Sequence, residues 1–341
     1  MARRAAQQRA VTANRAPGNP GLAFLGCGWA TRLHSRTLGA FRNDLRVYYA
    51  SRDAARSADY SARFRGAGSF GSYEAALQSP DVNVVLIATP PSSHLDLAMR
   101  AVAAGKDVIV EKPPFMTLAD FDQVTVAARA AERLIMVAEN YFYKPVAETL
   151  RGIIASGDLG DVRFISVNAL KRQKTGDWRD DPAMSGGGAM FEAGVHWINF
   201  MVNLGLGVES VHAFRAGPRT GPDRGSLVVV RYANGAVGTL AQSWEIPSVL
   251  KGVRLSRIFG TIGSVTFESN GVFVVQRSRR TRILFPGFRD MLGYRAMFRD
   301  FFASMRSREQ PRFSSDLARR DLALLEKIGP ELGAGGGDRS S

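Results

Sequence analysis

The chain has 341 residues, 45% hydrophobic and 22% charged, with a formal net charge of +14. That length predicts two domains, and no run approaches the ~18 apolar residues of a membrane span. One cysteine and four histidines exclude an internal disulfide framework and argue against a metal site, a pattern that fits a reducing cytoplasm.

Residues 1–20 carry Arg3, Arg4, Arg9 and Arg15 and no acid. No apolar stretch follows Arg3-Arg4, so this segment reads as a disordered basic arm rather than an export signal. From 21 to 142, strand-like runs alternate with helix-like segments. The strands are expected at Leu22–Leu25, Leu45–Ala50, Val82–Ala88, Asp107–Val110 and Leu134–Ala138, with helices starting near Trp29, Asp53, Leu95 and Leu118. Such alternation predicts an α/β domain with a doubly wound parallel sheet.

The pattern changes over 143–330. A helix at Pro145–Ser156 leads into a long strand, Val162–Leu170, and several short strands follow across 208–285. Asn234-Gly235 and Asn270-Gly271 mark tight hairpins. Helices near Met291–Arg306 and Asp316–Ile328 close what reads as an α+β domain with an antiparallel sheet. Residues 331–341 read as a flexible tail. Arg277, Arg279, Arg280 and Arg282 look like a solvated hairpin tip. No aromatic interleaving or binding motif accompanies the positive charge, so nucleic acid is not expected as a partner.

Leu22-Ala23-Phe24-Leu25-Gly26-Cys27-Gly28-Trp29-Ala30-Thr31 reads as strand, glycine turn and helix start. Gly26 allows the tight turn, and Gly28 lets backbone approach a pyrophosphate at the helix N-terminus beside Trp29 and Ala30. Thr31 replaces the commoner small third residue and is expected to loosen helix–strand packing. At the end of the second strand, NAD sites usually carry an acid. Here Ser51-Arg52 stands instead. A hydroxyl and a guanidinium suit a 2′-phosphate, so NADP is favoured over NAD. Asp53 suits the N-cap of the next helix.

Glu111-Lys112-Pro113 closes the apolar strand Val108-Ile109-Val110. A lysine at the carboxyl end of a parallel strand sits where open α/β sheets bind ligands. Lys112 is thus placed to move a proton while a nicotinamide moves a hydride. Further on, Gly186-Gly187-Gly188 precedes an apolar helix interrupted by Glu192, His196, Asn199 and Asn203. Their spacing puts them on one face. The glycines suggest close approach to a ligand, His196 can shuttle a proton near neutral pH, and an adjacent carboxylate, Glu192, can orient its ring.

Together these segments resemble the glucose–fructose oxidoreductase/inositol dehydrogenase (Gfo/Idh/MocA) family over about residues 21–330. The likeness rests on Gly26-Cys27-Gly28 with His34, Ala88-Thr89-Pro90 with His94, Gly105-Lys106 and Glu111-Lys112-Pro113. It continues through Glu139-Asn140-Tyr141, Trp178-Arg179, the triple glycine and Glu192-x-x-x-His196. It implies a Rossmann domain followed by an open, mostly antiparallel sheet that forms a homodimer or homotetramer. It also implies hydride transfer on a hydroxyl or ketone of a sugar or cyclitol, with Lys112, His196 and Glu192 catalytic. Thr89, Pro90, His94 and Glu111 join the cofactor contacts, and Tyr141, Trp178, Arg179 and Asn199 the substrate contacts. The family usually carries Asp at 192, and often at 199. Two other readings use the same fold: an NAD-dependent glycoside hydrolase with transient oxidation, and a non-catalytic cofactor sensor, against which Lys112 and His196 argue.

Overall fold

The computed structural model describes residues 19–173, 188–218, 220–247 and 252–333. The basic arm up to residue 18, Trp178, Arg179, Gly186, Gly187 and the tail beyond Gly333 lie outside the described residues. The chain packs as two compact units, Met1–Leu86 and Ile87–Ser341.

A parallel six-stranded sheet runs in the order β3-β2-β1-β4-β5-β6. Its strands are β1 (Gly21–Leu25), β2 (Arg46–Ala50), β3 (Gly68–Phe70), β4 (Val84–Ile87), β5 (Asp107–Val110) and β6 (Ile135–Val137). Every residue of β1, β4 and β5 is buried, as expected of parallel strands covered on both faces. The order reverses between β1 and β4, the topological switch point at which such sheets bind ligands. β3 is an addition to the expected strands. Its three residues, Gly-Ser-Phe, carry no apolar alternation to betray it.

In the first unit, α1 (Trp29–Leu38) follows β1 and α2 (Ala54–Phe64) follows β2. The second unit holds α4 (His94–Ala103), α5 (Leu118–Ala130), α6 (Pro145–Ala155), α7 (Val195–Val202), α8 (Tyr294–Ser307) and α9 (Ser315–Ile328); α3 is the short helix Tyr73–Gln78 of the first. The second sheet has eight strands, in the order β14-β13-β12-β11-β7-β10-β9-β8. Its centre is β7 (Val162–Leu170), parallel to β10 (Val237–Ser243) and antiparallel to β11 (Leu255–Gly260). β8 (Val208–Arg215) pairs antiparallel with β9 (Gly225–Tyr232), and β12 (Ser264–Glu268), β13 (Val274–Arg277) and β14 (Thr281–Leu284) form a meander. The arginine cluster flanks the β13–β14 turn, as expected of a hairpin tip.

One face of this sheet, including Ile165, Val167, Val228, Val230 and Ile258, builds a core with Trp197, Phe200 and Met201. The other face leaves Phe164 61%, Phe214 58% and Ile283 63% exposed.

The compact units do not follow the boundary expected near residue 142. Helix α9 explains why, since it returns across α5: Arg319 makes a two-pronged contact with Asp122 at 2.6 and 2.8 Å, and Glu326 accepts the Leu118 N–H. Arg308 grips the buried Asp107 of β5 in the same way. The later strands of the parallel sheet are thereby locked to the C-terminal helices. Residues 331–333 are not loose either, because Leu332 is buried in a 3₁₀ turn, Pro330–Leu332, and Glu331 accepts the Ala213 N–H.

Among the described residues, no helix is long and apolar enough to cross a membrane, and no group of three His, Cys, Asp or Glu is arranged to hold a metal.

Candidate active site

In the first unit, Gly26 has φ +107°, a conformation that favours glycine. A Cβ on Gly28 would meet nothing within 4 Å, so the space before it is open. No side chain caps α1 and no acid sits in its first turn. That leaves backbone N–H groups and the positive end of the helix for an anion. Trp29 is exposed beside them. These features fit a dinucleotide's pyrophosphate.

Thr31 is fully buried and its hydroxyl donates to Gly26 O at 2.6 Å. It clasps the turn rather than loosening the packing, correcting that expectation. The Cys27 thiol is pushed up to about 11 by burial, so it stays protonated. At the second strand's end, Ser51 is buried and its hydroxyl accepts the Asp53 N–H. Asp53 caps α2 through Arg56 N. Arg52 is exposed and hydrogen-bonds Tyr73. The Ser51 hydroxyl is thus engaged by the backbone, and Arg52 is the exposed residue beside it.

In the second unit, His94 at the start of α4 is fully buried. Its ring nitrogens lie 2.9 Å from Pro114 O and Thr89 O. It ties together the loops after β4 and β5 through both ring nitrogens. The Thr89 hydroxyl accepts from Ser93.

Lys112 follows β5. Its Nζ donates to Glu192 O at 2.7 Å and lies 3.6 Å from Glu192 Oε1. Glu192 sits in a π-helical turn, Met190–Gly194, that runs into α7. π turns recur at functional sites. The buried Asp223 anchors the start of this turn, its backbone O accepting the Ala189 N–H and its carboxylate the Met190 N–H. A Cβ on Gly188 would strike Asp223 Oδ1 at 2.1 Å. The last of the three glycines thus allows close approach of the protein's own backbone rather than of a ligand.

One turn further, His196 Nδ1 lies 2.7 and 2.9 Å from the two carboxylate oxygens of Glu139. The expected ring-orienting partner was Glu192; the structure gives that role to Glu139 and pairs Glu192 with Lys112. Glu139 is buried, while the His196 side chain is 16% exposed. Burial pushes the His196 pKa down from its usual value, Glu139 opposes this, and Lys112 adds to it. The Tyr141 ring stacks on His196 at 4.4 Å.

The polar face of this segment does not continue as one site. Asn199 is 1% exposed and donates to Asp321 of α9, as does Asn203. The Asn199 amide N–H is thus committed to Asp321, while its Oδ1 is buried without a hydrogen-bond partner among the described residues. Two functional candidates escaped the sequence reading. Glu139 stood only within a motif, although it follows a buried strand just as Lys112 does, the position at which open α/β sheets bind ligands. Tyr294 lies close enough to Glu111 and Glu139 for their charges to raise its pKa, after burial as the larger cause.

Comparison with known proteins agrees with both halves. Residues 21–139 match the family model for oxidoreductases with an NAD-binding Rossmann fold, and residues 147–266 match the GFO/IDH/MocA C-terminal domain. The chain is 30% identical over 203 residues to trans-1,2-dihydrobenzene-1,2-diol dehydrogenase of Bos taurus, covering 58% of this chain and 59% of that relative. The chain thus spans about three-fifths of the length of such curated relatives. Levoglucosan dehydrogenase in complex with NADH and levoglucosan superposes with a TM-score of 0.82 at 21% identity, over 92% of this chain and 97% of that one. The aldose-aldose oxidoreductase of Caulobacter crescentus complexed with glycerol does so with the same TM-score and identity, over 92% and 98%. The chain belongs to the GFO/IDH/MocA family of oxidoreductases.

Proposed function

We propose that this chain is an NAD(P)-dependent dehydrogenase or reductase acting on a hydroxyl or ketone carbon of a sugar, cyclitol or related diol. One observation carries the reading: a partly exposed imidazole held by a buried carboxylate, one turn from a lysine–glutamate pair. When bound, the dinucleotide supplies the hydride chemistry.

The protein's residues handle the proton. With Nδ1–H donated to Glu139, the other ring nitrogen of His196 is left as an acceptor, and the neighbouring carboxylate stabilises the imidazolium that forms. Burial keeps the ring neutral beforehand. Lys112, held by Glu192, polarises the same substrate oxygen. Gly26, Gly28, Trp29 and Ala30 cradle the phosphates, Arg52 selects the 2′-phosphate of NADP, and Thr89, Pro90 and Glu111 border the cofactor. Tyr141 supports the His196 ring and borders the substrate.

The relatives' names point to vicinal diols and sugars as the substrate class. The exposed apolar face of the eight-stranded sheet supports a homodimer or homotetramer formed through it, and the single cysteine supports a cytoplasmic setting. A light-scattering mass of one chain would contradict the oligomer.

The test is turnover of NAD(P)H or NAD(P)⁺ against keto-sugars, polyols, cyclitols, anhydrosugars and trans-dihydrodiols. Stoichiometric change in reduced cofactor is expected, with NADP(H) preferred. Arg52→Ala should cost NADP(H) roughly tenfold in affinity and leave NAD(H) nearly unchanged, as for loss of one charge-assisted contact. Glycoside cleavage with no net cofactor change would contradict the reading, as would an NAD preference for the Arg52 assignment.

A further inference from the structure

Lys144 is a buried cation with no part in the chemistry above. It is 1% exposed, and its Nζ makes no hydrogen bond among the described residues. A buried ammonium without an acceptor is costly unless something else holds it. Here aromatic faces do: Nζ lies 4.3 Å from the Tyr141 ring centroid and 5.8 Å from that of Trp197, within cation–π range. The His196 imidazole stacks on Tyr141 at 4.4 Å with the rings 14° apart. Lys144 and His196 thus both pack against the one Tyr141 ring.

All its supports come from one stretch of backbone. Glu139 caps the 3₁₀ turn Asn140–Tyr143 by accepting the Tyr141 N–H, and Lys144 N–H returns to Tyr141 O. Pro145 then starts α6. A single turn therefore presents the carboxylate on His196, the ring against it and the cation in contact with the same ring.

We propose that Lys144 is a positioning residue for His196: its ammonium holds the Tyr141 ring against the imidazole, and loss of that charge loosens the stack. The proposal gives its functional meaning only with the reading of His196 as the proton-handling base, but the stack itself is tested without turnover. The charged neighbours of Lys144 are Arg254, Glu268 and Glu139, and those of His196 are Glu139, Lys112 and Glu192. Tyr141 and Tyr294 lie among the same groups, and burial keeps both protonated far above neutral pH. Burial first, then Arg254, push the Lys144 pKa down to about 8, against Glu268 and Glu139. The cation is therefore lost within an accessible pH range.

The experiment is a histidine-ring NMR titration of the full chain, without cofactor or substrate. With four histidines in the sequence, the His196 signals are assigned by their loss in His196→Asn. The wild type should show two inflections at His196: its own, below the usual histidine value, and a second near pH 8. In Lys144→Met the second should vanish, and the first should rise by about half a pH unit or more, as water reaches a freed ring. Lys144→Arg keeps a permanent charge. It should retain the low first midpoint and show no alkaline inflection. If Lys144→Met does not fold, Tyr141→Leu removes the coupling while keeping the lysine, and its His196 should also lose the alkaline step. A single inflection in the wild type overturns the proposal, as does a Lys144→Met or Tyr141→Leu titration indistinguishable from wild type. A chain inactive on every substrate but showing the coupled titration would refute the proposed function and leave the stack standing.

Discussion

Residues 190–203 carry two polar networks whose contrast separates the proposed chemistry from scaffolding. In the first half, Lys112, Glu192 and His196 keep 17%, 12% and 16% of their side chains exposed. In the second half, both carboxylate oxygens of Asp321 are taken. Oδ2 accepts from Asn199 at 2.7 Å and Asn203 at 3.0 Å, and Oδ1 from Arg320 at 2.8 Å. Asn199 and Asp321 are 1% and 4% exposed. Polar residues of similar spacing thus end in a partly exposed imidazole or in a buried cross-link between α7 and α9. Exposure distinguishes the two, and residue type alone does not.

The largest effect should come from breaking the open network. Lys112→Ala should lower kcat by ~10²–10⁴-fold, the usual contribution of general acid–base help, while keeping dinucleotide affinity within about tenfold. Steady-state kinetics with calorimetric titration of the cofactor checks this, and near-full kcat would assign Lys112 to the scaffold.

Breaking the closed network should act on stability instead. Asp321→Leu strands two buried amides and Arg320, and should cost about 2 kcal/mol or more by urea unfolding. That is below the usual figure for halving a buried pair, because Arg320 is 37% exposed. The kcat of the folded fraction should change little.

The smallest effect concerns pH. Burial raises the Asp321 pKa to about 6, outweighing Arg320 and the two amides. A carboxyl raised above its unfolded value favours the folded state fully below about pH 4, and this contribution is lost as pH rises through about 6. Asp321→Asn keeps an acceptor but cannot ionise. Its unfolding free energy relative to wild type should therefore improve between pH 4 and 6 and then level off. A constant difference across that range would show that Asp321 does not titrate there.

Much of this was legible in the sequence because local pattern carries it. Apolar runs such as those in Val84–Ile87 and Asp107–Val110, flanked by turn residues, read as strands buried on both faces, and Gly26 and Gly28 mark the loop. Long-range pairing was not legible. Glu139 and His196 are 57 residues apart and Asn199 and Asp321 122 apart, and spacing on a helix names a face but not what covers it. The π turn at Met190–Gly194 was likewise invisible. It shows in the approach of residue 194 to Met190, where a Cβ would lie 2.2 Å from the sulfur.

The most direct test of the contrast is His196→Asn, measured for kcat, cofactor affinity and thermal midpoint in one preparation. The account predicts a fall in kcat of ~10²-fold or more, with cofactor affinity and midpoint close to wild type. A variant that retains kcat, or that unfolds as Asp321→Leu is expected to, would place His196 in the scaffold and contradict the account.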